Sequence, residues 1–471
     1  MRILLITGRL AEKIVKENAS TAEIYVCDTD IAAFITPKDL EKLDLRDYDL
    51  VLVPGLTKDC NWEEFERRKG VKVRLGPLHA ADLRRVLDFA GKIEFSHKIP
   101  ACRLIEAVKA EEVIKEVEKL EKTAKFRIRN VAIGGNSRMK IVAEIVNPRI
   151  EFLREKIDYF SENADIIDLG IPMEFESDEV SKMIKVAVDE SRKPVSVDTF
   201  SKKAIEIAVK HGVDMIMSLS SSNFEILDLI EDQAVVVAEK NLQALFKLLE
   251  NARKRTEKVI ADPILDPPLS VAKSIERYLE FRRLDSETPL LFGVGNVTEL
   301  SDVDSIGMNA LLAFIAEEIS CNLIFTTEAS PKTTGSVKEL RIASHLAKIS
   351  KIRKSPPKDV GISLLALKEK VKYETAKVED FLIAEESKEF HRDPFGDFIL
   401  FIANGKIFCK HKKATIAGKN AKEIIDTVLR LGLVSRLDHA AYLGRELMKA
   451  EIALRLGKNY IQDRELNFGF Y

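Results

Sequence analysis

The segment from Lys140 to Gly170 contains the pattern that most restricts the fold of this chain. An apolar run, 141–146, ends at Asn147-Pro148, an amphipathic helical spacing follows, and a second apolar run ends at Asp168. Short apolar runs that alternate with such helices are typical of buried parallel strands covered by helices. Because each strand ends on a polar residue, we expect the carboxyl ends of the strands to form a functional rim.

The same alternation continues to Ser350 and predicts eight strand–helix units. The predicted strands are 140–146, 165–170, 194–198, 213–218, 234–238, 258–262, 290–294 and 322–326. Eight units in a span near the lower size limit of about 200 residues predict a (β/α)8 TIM barrel. An open doubly wound sheet is the alternative.

Shorter patterns flank this barrel, and the predicted fold class is α/β with two additional domains. Residues 1–95 show four short strands with helices between them, which predicts a small doubly wound α/β domain. The predicted strands are Ile3–Thr7, Glu23–Val26, Leu50–Val53 and Val71–Arg74. Residues 96–134 form a helical connector and the start of a hairpin that turns at Gly134-Gly135-Asn136. The barrel domain spans 135–352.

Beyond Pro356-Pro357, residues 358–471 are predicted to form an α+β domain. Its elements are a strand at Lys372–Glu379, a hairpin of Phe398–Ala403 and Lys406–Lys410, and helices near 420–431 and 438–456. Three sizeable cores are consistent with 471 residues, of which 46% are hydrophobic.

Composition excludes several classes of function. The formal net charge of −2 implies no general attraction to nucleic acid, and no apolar run approaches the roughly 18 residues of a membrane span. Five scattered cysteines without metal spacing predict neither disulfides nor a zinc site, which favours a cytoplasmic location.

The predicted strand ends carry a set of polar side chains that should converge at one mouth. The set comprises Glu144, Asn147, Asp168, Asp198, Ser218, Glu239, Asp262, Asn296 and Thr326 to Glu328. One polar residue at a strand end is ordinary, but several carboxylates and amides that meet at one rim more often mark a site.

The barrel segments also show a resemblance to a known superfamily. The ordered series IVAEIVNP, NADIIDLG, KPVSVDTF, GVDMIMS and VIADPILDPP resembles the pterin-binding barrels, which include dihydropteroate synthases and methyltetrahydrofolate-dependent corrinoid methyltransferases. The three-part layout resembles the archaeal dihydropteroate synthase-like proteins of tetrahydromethanopterin-using organisms. The resemblance covers about residues 135–350.

The resemblance implies roles for individual rim residues. Asp198 and Asp262 match the two carboxylates that bind the pterin, and Asp168 matches the second-strand aspartate. Asn147 matches the asparagine that helps to hold a magnesium–diphosphate, and Asn296 matches an amide near the reactive side of the pterin. Glu144 matches a glutamate of the methyltransferases, and Ser218 stands at a fourth-strand pterin position. Catalytic roles are implied for Asp198, Asp262, Asn296 and Asn147.

Three departures leave the reaction open. Synthases carry an Asn-Asp pair where Ser218 and Leu219 stand, a Ser-Arg-Lys where Gly295 and Asn296 stand, and an Arg-x-His in place of 326–328. The alternatives are therefore synthase-like condensation, methyl transfer from a methyl-tetrahydropterin, and a carrier that binds pterin without catalysis.

After the eighth strand, EASPKTTGSVKEL combines hydroxyl groups, a glycine, a lysine and a helix start. Lys332, Thr333, Thr334 and Ser336 are predicted to hold a phosphate, with Ser336 and Glu339 forming a capping box. An ordinary capped helix with a solvated lysine is the competing interpretation.

Cofactors and partners follow from the resemblance. We expect a reduced pterin, Mg2+ at Asn147 if the chain is synthase-like, and an arylamine or methyl acceptor as second substrate. Methyl transfer would need a separate corrinoid protein, because His439 and Gly444 do not have the spacing of a corrinoid motif. No nucleic acid or membrane partner is expected, and a homodimer is a possible assembly.

Overall fold

A four-stranded parallel sheet begins the chain in the computed structural model, which describes residues 1–19, 22–370, 372, 381–386 and 389–469. Its elements are β1 (Ile3–Thr7), α1 (Glu12–Asn18), β2 (Glu23–Val26), β3 (Leu50–Val53), α2 (Trp62–Lys69), β4 (Val73–Leu75) and α3 (Leu83–Phe89). The strand order β2-β1-β3-β4 is that of a doubly wound domain, as predicted. The fourth strand begins two residues later than the predicted Val71.

The two faces of this sheet have separate cores. One face packs against α2 through Trp62 and Phe65, and the other packs against α1 and α3 through Val15 and Val86. The carboxyl ends of β1, β3 and β4 enclose a crevice of about 190 Å3 lined mainly by apolar side chains. No glycine-rich phosphate loop borders it in the sequence.

A helix and a hairpin connect this sheet to the barrel. Helix α4 spans Ala101–Glu118 and packs against the last barrel helix through Val113 and Val117. The hairpin consists of β5 (Phe126–Ile128) and β6 (Val131–Ile133). Its turn lies at Arg129, whose φ of 48° is left-handed, so the prediction of a hairpin turn at Gly134-Gly135-Asn136 was wrong. The two glycines instead lead from β6 into the first barrel strand.

Eight parallel strands and their helices form the (β/α)8 barrel, which confirms the predicted fold class. The elements are β7 (Lys140–Val146), α5 (Ile150–Ser161), β8 (Ile166–Gly170), α6 (Ser177–Glu190), β9 (Val195–Asp198), α7 (Lys202–Lys210), β10 (Met215–Leu219), β11 (Ala234–Ala238), α8 (Leu242–Ala252), β12 (Val259–Asp262), α9 (Val271–Leu284), β13 (Leu291–Gly293), α10 (Gly295–Thr298), α11 (Ser305–Glu318), β14 (Leu323–Thr327) and α12 (Ser336–Arg353). Between β10 and β11 the predicted helix is a 3-10 helix, Phe224–Leu229.

The barrel is closed and its lower end is filled. The sheet order runs from β12 through β7 and β14 to β13, and a parallel bridge between Ala261 and Leu290 joins the two ends. Ile128 and Ile133 of the β5–β6 hairpin pack with the inward-facing residues of the strands. The β5–β6 hairpin therefore closes the bottom of the barrel. The opposite end, where the strands terminate, carries the rim residues.

The chain separates into two units, Met1–Tyr373 and Glu374–Tyr471. The second unit contains an antiparallel sheet and two helices: β15 (Phe398–Ala403), β16 (Lys406–His411), β17 (Ala414–Gly418), α13 (Ala421–Arg430) and α14 (Leu437–Leu456). Strand β17 was not predicted, and the predicted strand Lys372–Glu379 lies, apart from Lys372, outside the described residues. In the described ranges, no helix has the length and apolar character needed to cross a membrane.

Candidate active site

Three carboxylates from the first three barrel strands meet at the mouth. Glu144 lies opposite Asp168 in the β7–β8 register, and Gly170 lies opposite Asp198 in the β8–β9 register. Because side chains two residues apart on a strand share a face, all three acids point into the barrel. One oxygen of each lies within 4.8 Å of those of the other two. The structure therefore brings together three of the predicted pterin residues.

Asp168 is the most enclosed of the three. It is fully buried, and its Oδ1 accepts a hydrogen bond from the Ser196 hydroxyl. Its Oδ2 is buried and has no hydrogen-bond partner in the part of the chain that the structure describes. Burial raises the pKa of Asp168 well above its ordinary value, and the neighbouring Asp198 and Glu144 raise it further.

Glu144 and Asp198 are also difficult to ionise. Burial, followed by repulsion from Asp198 and Glu299, raises the pKa of Glu144 to about 7, and burial raises the pKa of Asp198 to about 6. A Cβ on Gly170 would lie 2.2 Å from Glu144 Oε1. The glutamate carboxylate thus occupies space that only a glycine at position 170 leaves open.

Asp262, at the end of β12, is held more firmly. Its Oδ1 accepts hydrogen bonds from the Ile264 backbone N–H and from the Tyr278 hydroxyl, each at 2.7 Å. Burial raises the pKa of Asp262 to about 6 despite these two donors, and Asp198 contributes to the rise. Both donors bind the same oxygen, so they fix the carboxylate without occupying Oδ2. Such a group can accept further N–H donors from a ligand.

Asn296 fastens the loop that follows β12. Its side chain is exposed, and its Nδ2 donates to the Leu265 carbonyl oxygen at 2.8 Å. Arg277 donates to the Pro263 carbonyl oxygen at 2.6 Å and to Asp266 at 2.8 Å, so it holds the same loop. The predicted amide therefore holds the loop that follows Asp262 through a contact of its own.

Asn147 and Ser218 lie on the rim without a side-chain contact to the acids. Asn147 is exposed, has a left-handed φ of 45°, and donates its backbone N–H to the Gly170 carbonyl oxygen at 3.2 Å. Ser218 is half-buried, and its carbonyl oxygen accepts a hydrogen bond from the Asn223 amide. Asn147 is thus placed next to Gly170, on which the three-acid cluster also borders.

The predicted phosphate-binding residues have internal partners. Lys332 pairs with the highly exposed Asp302 at 3.0 Å, and the Thr333 hydroxyl donates to Glu299 at 2.5 Å. Thr334 is exposed, whereas Ser336 is buried and accepts a hydrogen bond from the Asn309 amide. Lys332 and Thr334 are therefore the members of the set with access to a ligand.

The predicted capping box is wrong. Gly335, with a left-handed φ of 94°, caps the helix, and Ser336 is its first residue. The N–H of Val337 donates to Glu328, and the Glu339 carboxylate accepts from Asn309 instead of the helix backbone. A side chain at position 335 would have to adopt a conformation that favours glycine.

Sequence reasoning missed three residues that shape the mouth. Ser196 could have been found, because it lies two residues before Asp198 and therefore faces inward with it. Gly170 ends a predicted strand, but its closeness to Glu144 depends on the strand register. Tyr278 lies on a covering helix, sixteen residues after Asp262, and no local pattern marks it.

Comparisons with known proteins give a full-length relative and partial matches. A family model described as PterinBD-DUF4346 matches residues 392–463, in the second unit. The dihydropteroate synthase of Vibrio fischeri superposes with a TM-score of 0.37 and 14% identity, covering 47% of this chain and 96% of that one. The dihydropteroate synthase of Yersinia pestis superposes with a TM-score of 0.36 and 17% identity, covering 46% of this chain and 94% of that one.

Among sequences, the Ycf91-like protein of Nostoc is 48% identical over 50 residues, which are 10% of this chain and 39% of that protein. The uncharacterized protein MJ0107 of Methanocaldococcus jannaschii is 38% identical, and the alignment covers 99% of both chains. Since that match spans the two proteins from end to end, this chain belongs to the same family as the M. jannaschii protein MJ0107.

Proposed function

We propose that this chain binds a reduced pterin in the mouth of its barrel. The observation that carries the proposal is the convergence of three carboxylates from separate strands, of which Asp168 is fully buried, with Asp262 fixed at one oxygen by Tyr278 and Ile264. The pyrimidine edge of a pterin presents a ring N–H beside an exocyclic amino group, and carboxylates accept from both. The two N–H donors of the pterin edge therefore match the carboxylate acceptors of this mouth.

The reaction that we propose is the condensation of 6-hydroxymethyl-dihydropterin diphosphate with an arylamine, as in folate or tetrahydromethanopterin biosynthesis. The bond between the pterin methylene carbon and the diphosphate oxygen breaks, and diphosphate leaves with the electron pair. The arylamine nitrogen then bonds to the methylene and releases a proton to water. Asp198 and Asp262 would orient the ring and stabilise its developing positive charge.

Mg2+ is the metal that this proposal includes, and Asn147 is its proposed ligand. A single amide oxygen supplies one of the roughly six oxygen ligands that Mg2+ takes, so Asn147 fits the ion only together with diphosphate oxygens and water. The exposed position of Asn147 on the rim is compatible with that arrangement. When bound, Mg2+ would neutralise charge on the leaving diphosphate.

The arylamine acceptor is proposed to carry a phosphorylated ribose, which Lys332 and Thr334, the exposed members of the predicted set, would hold. The Lys332–Asp302 pair is exposed and of a kind worth at most about 1 kcal/mol, so a phosphate can replace Asp302 at little cost. Lys332→Ala should raise KM for a phosphorylated acceptor and leave pterin binding unchanged. Lys338→Ala, at an exposed position of the following helix α12, is the matched control.

Methyl transfer is the second candidate, and the position of Asn296 favours it. Because Nδ2 donates to Leu265, the side-chain carbonyl oxygen is the acceptor that this residue can offer to a protonated pterin nitrogen. Glu144 in the same mouth has a pKa of about 7 and can carry a proton near neutral pH. The methyl group would pass to a corrinoid held by a separate protein.

A paired assay with the purified protein separates these functions. One reaction contains 6-hydroxymethyl-dihydropterin diphosphate, Mg2+ and an arylamine, and the other contains a methyl-tetrahydropterin and reduced cobalamin. Diphosphate release that requires the arylamine supports condensation. Methyl-cobalamin formation that Asn296→Ala abolishes supports methyl transfer. Pterin binding with no turnover in either reaction supports a carrier.

Pterin binding itself is tested by calorimetry with a dihydropterin. Asp262→Asn should weaken binding by roughly 1.5–3 kcal/mol, because it removes a charged acceptor of two N–H donors. Glu239→Gln is the control, since that carboxylate also follows a barrel strand but accepts from Ser221. Equal affinity of Asp262→Asn and the parent protein would overturn the proposal.

A further inference from the structure

We propose that Glu144, Asp168 and Asp198 together bind one divalent cation that prefers oxygen ligands, such as Mg2+ or Mn2+. This site is distinct from the single amide ligand proposed at Asn147. It shares Asp198 with the proposed pterin site, but it does not rest on pterin binding. The two proposals can therefore fail separately.

The spacing of the three carboxylate oxygens matches that of the ligands of a single cation. One oxygen of each carboxylate lies within 4.8 Å of those of the other two. Oxygens bound to one Mg2+ or Ca2+, at about 2.0–2.6 Å from the ion, lie within roughly 5 Å of one another. The three side chains come from adjacent strands of a closed barrel, so their spacing is set by rigid backbone.

An unsatisfied buried oxygen is the second observation. Asp168 is fully buried, and its Oδ2 has no hydrogen-bond partner within the described residues, although its Oδ1 is bonded to Ser196. Buried polar atoms without a protein partner are rare and costly, and a bound ion or water commonly satisfies them. The orphaned oxygen belongs to the cluster itself, where a bound cation would satisfy it.

The cluster also lacks a positive counterpart. In the described ranges of the chain, no lysine, arginine or histidine forms an ion pair with any of the three acids, and none lowers their pKa values. Other buried acids of the barrel do have such partners, for example Asp165 with Arg138 and Asp266 with Arg277. Buried charges are normally paired or bound to metals.

Strand β8 leaves the necessary space. A Cβ on Gly170 would lie 2.2 Å from Glu144 Oε1, so the glycine allows the glutamate to reach the other two acids. The donor set contains carboxylate oxygens alone, with no nitrogen or sulfur. That set suits Mg2+, Mn2+ or Ca2+ better than zinc or copper.

The test uses full-length protein that has been treated with EDTA and dialysed. Mn2+ is titrated and the free ion is measured by electron paramagnetic resonance, with Mg2+ added as a competitor. We expect one equivalent of Mn2+ to bind and Mg2+ to displace it. Asp168→Asn and Glu144→Gln should each weaken Mn2+ binding at least tenfold, and Gly170→Ala should weaken it by displacing Glu144.

Two control variants make the result specific. Glu239→Gln removes a carboxylate that follows β11, outside the cluster, and should leave Mn2+ affinity unchanged. Asp262→Asn should weaken the binding of a dihydropterin and leave Mn2+ affinity unchanged. This variant therefore separates the metal proposal from the proposed function. Circular dichroism shows whether each variant is folded, and Glu144→Gln serves if Asp168→Asn is not.

Three results would overturn the inference. They are no stoichiometric Mn2+ binding by the parent protein, undiminished binding by folded Asp168→Asn and Glu144→Gln, and an equal loss in Glu239→Gln. The first would mean that the acids are neutralised by shared protons or by N–H donors of an organic ligand. The second and third would place the ion elsewhere.

Discussion

Two aspartates near the second barrel strand have opposite surroundings. Asp165 stands immediately before β8 and Asp168 lies within it, three residues further on; both are buried. Asp165 accepts two hydrogen bonds of 2.8 Å from Arg138, one of 2.5 Å from Arg341, and one from the Ile141 backbone N–H. Asp168 accepts one hydroxyl hydrogen bond, from Ser196, and its other oxygen has no protein partner within the described ranges.

The pKa values of the two acids diverge accordingly. Burial alone would raise the pKa of Asp165, but Arg138, Arg341 and Lys140 hold it well below its ordinary value. Burial raises the pKa of Asp168, and its acidic neighbours add to the rise. In barrels of this type, the lower end serves stability and the mouth serves function. The comparison indicates that the paired acid stabilises the lower end of the barrel, whereas the acid at the mouth has an oxygen that no described residue satisfies.

The largest expected effect is at the lower end of the barrel. Asp165→Asn removes the only carboxylate that Arg138 pairs with among the described residues, and leaves a buried guanidinium without a counter-charge. Breaking such a pair costs about 3–5 kcal/mol, which should appear as a lower free energy of unfolding in urea. A loss below about 1 kcal/mol would show that the network contributes little. Asp168→Asn, a change of the same type three residues further along the chain, is the comparison variant.

Asp168→Asn should have the opposite effect, an increase in the free energy of unfolding of the metal-free protein. The amide carries no charge, and its N–H donors can bond to Glu144 or Asp198, so an unsatisfied buried acceptor is removed. We expect a gain of about 1–3 kcal/mol in the free energy of unfolding at pH 8 with EDTA. Added Mg2+ should then stabilise the parent protein more than the variant. A loss like that of Asp165→Asn would show that Asp168 is structural.

Part of this contrast could be predicted from the sequence. The strand ends at Glu144, Asp168, Asp198 and Asp262 followed from apolar runs alternating with helices, because parallel strands present their carboxyl ends at one edge. The unpredicted strand β17 is a five-residue segment that follows directly on a predicted strand and its lysine-rich turn. Turn residues misled in one place, since Gly134-Gly135 is the stronger turn signal but Arg129 makes the hairpin turn.

The pairing of Asp165 could not be predicted. Arg138 and Arg341 lie 27 and 176 residues from it, and they meet it only after the barrel has closed. The Tyr278–Asp262 contact likewise joins a helix to a strand, and local sequence spacing does not indicate that contact. Residue types at strand ends therefore identified the mouth, whereas the charge balance of each acid required the tertiary structure.

The acids at the lower end of the barrel and those at its mouth should change the stability in opposite directions as the pH rises. Asp165 has a lowered pKa, so its contribution is present above its unfolded pKa of about 3.9 and is lost as the pH falls below that value. The cluster acids have raised pKa values, about 7 for Glu144 and about 6 for Asp198. Their ionisation should reduce the stability of metal-free protein as the pH rises from about 4 to 7.

Urea unfolding between pH 3 and 8 measures both effects. Asp168→Asn should reduce the decline between pH 4 and 7 and retain the loss of stability below pH 4. A variant profile parallel to that of the parent protein over the upper range would mean that Asp168 is not linked to the titration of the cluster. Saturating Mg2+ in the parent protein should also diminish the upper decline.

The smallest expected effect concerns Tyr278, which acts on a ligand through Asp262. Its fully buried hydroxyl lies 2.7 Å from Asp262 Oδ1 and 2.9 Å from the Leu291 carbonyl oxygen. Tyr278→Phe leaves the Ile264 N–H as the remaining donor to Oδ1, so the carboxylate is held less firmly and its pKa should rise. Dihydropterin affinity should fall by about 1 kcal/mol, and the pH at which binding is half-maximal should move upward. Tyr159→Phe, which loses a hydroxyl bonded to Glu328 at the same mouth, should not shift that midpoint. If the pH of half-maximal binding is unchanged in Tyr278→Phe, the tyrosine contributes packing alone, even if the variant unfolds more easily.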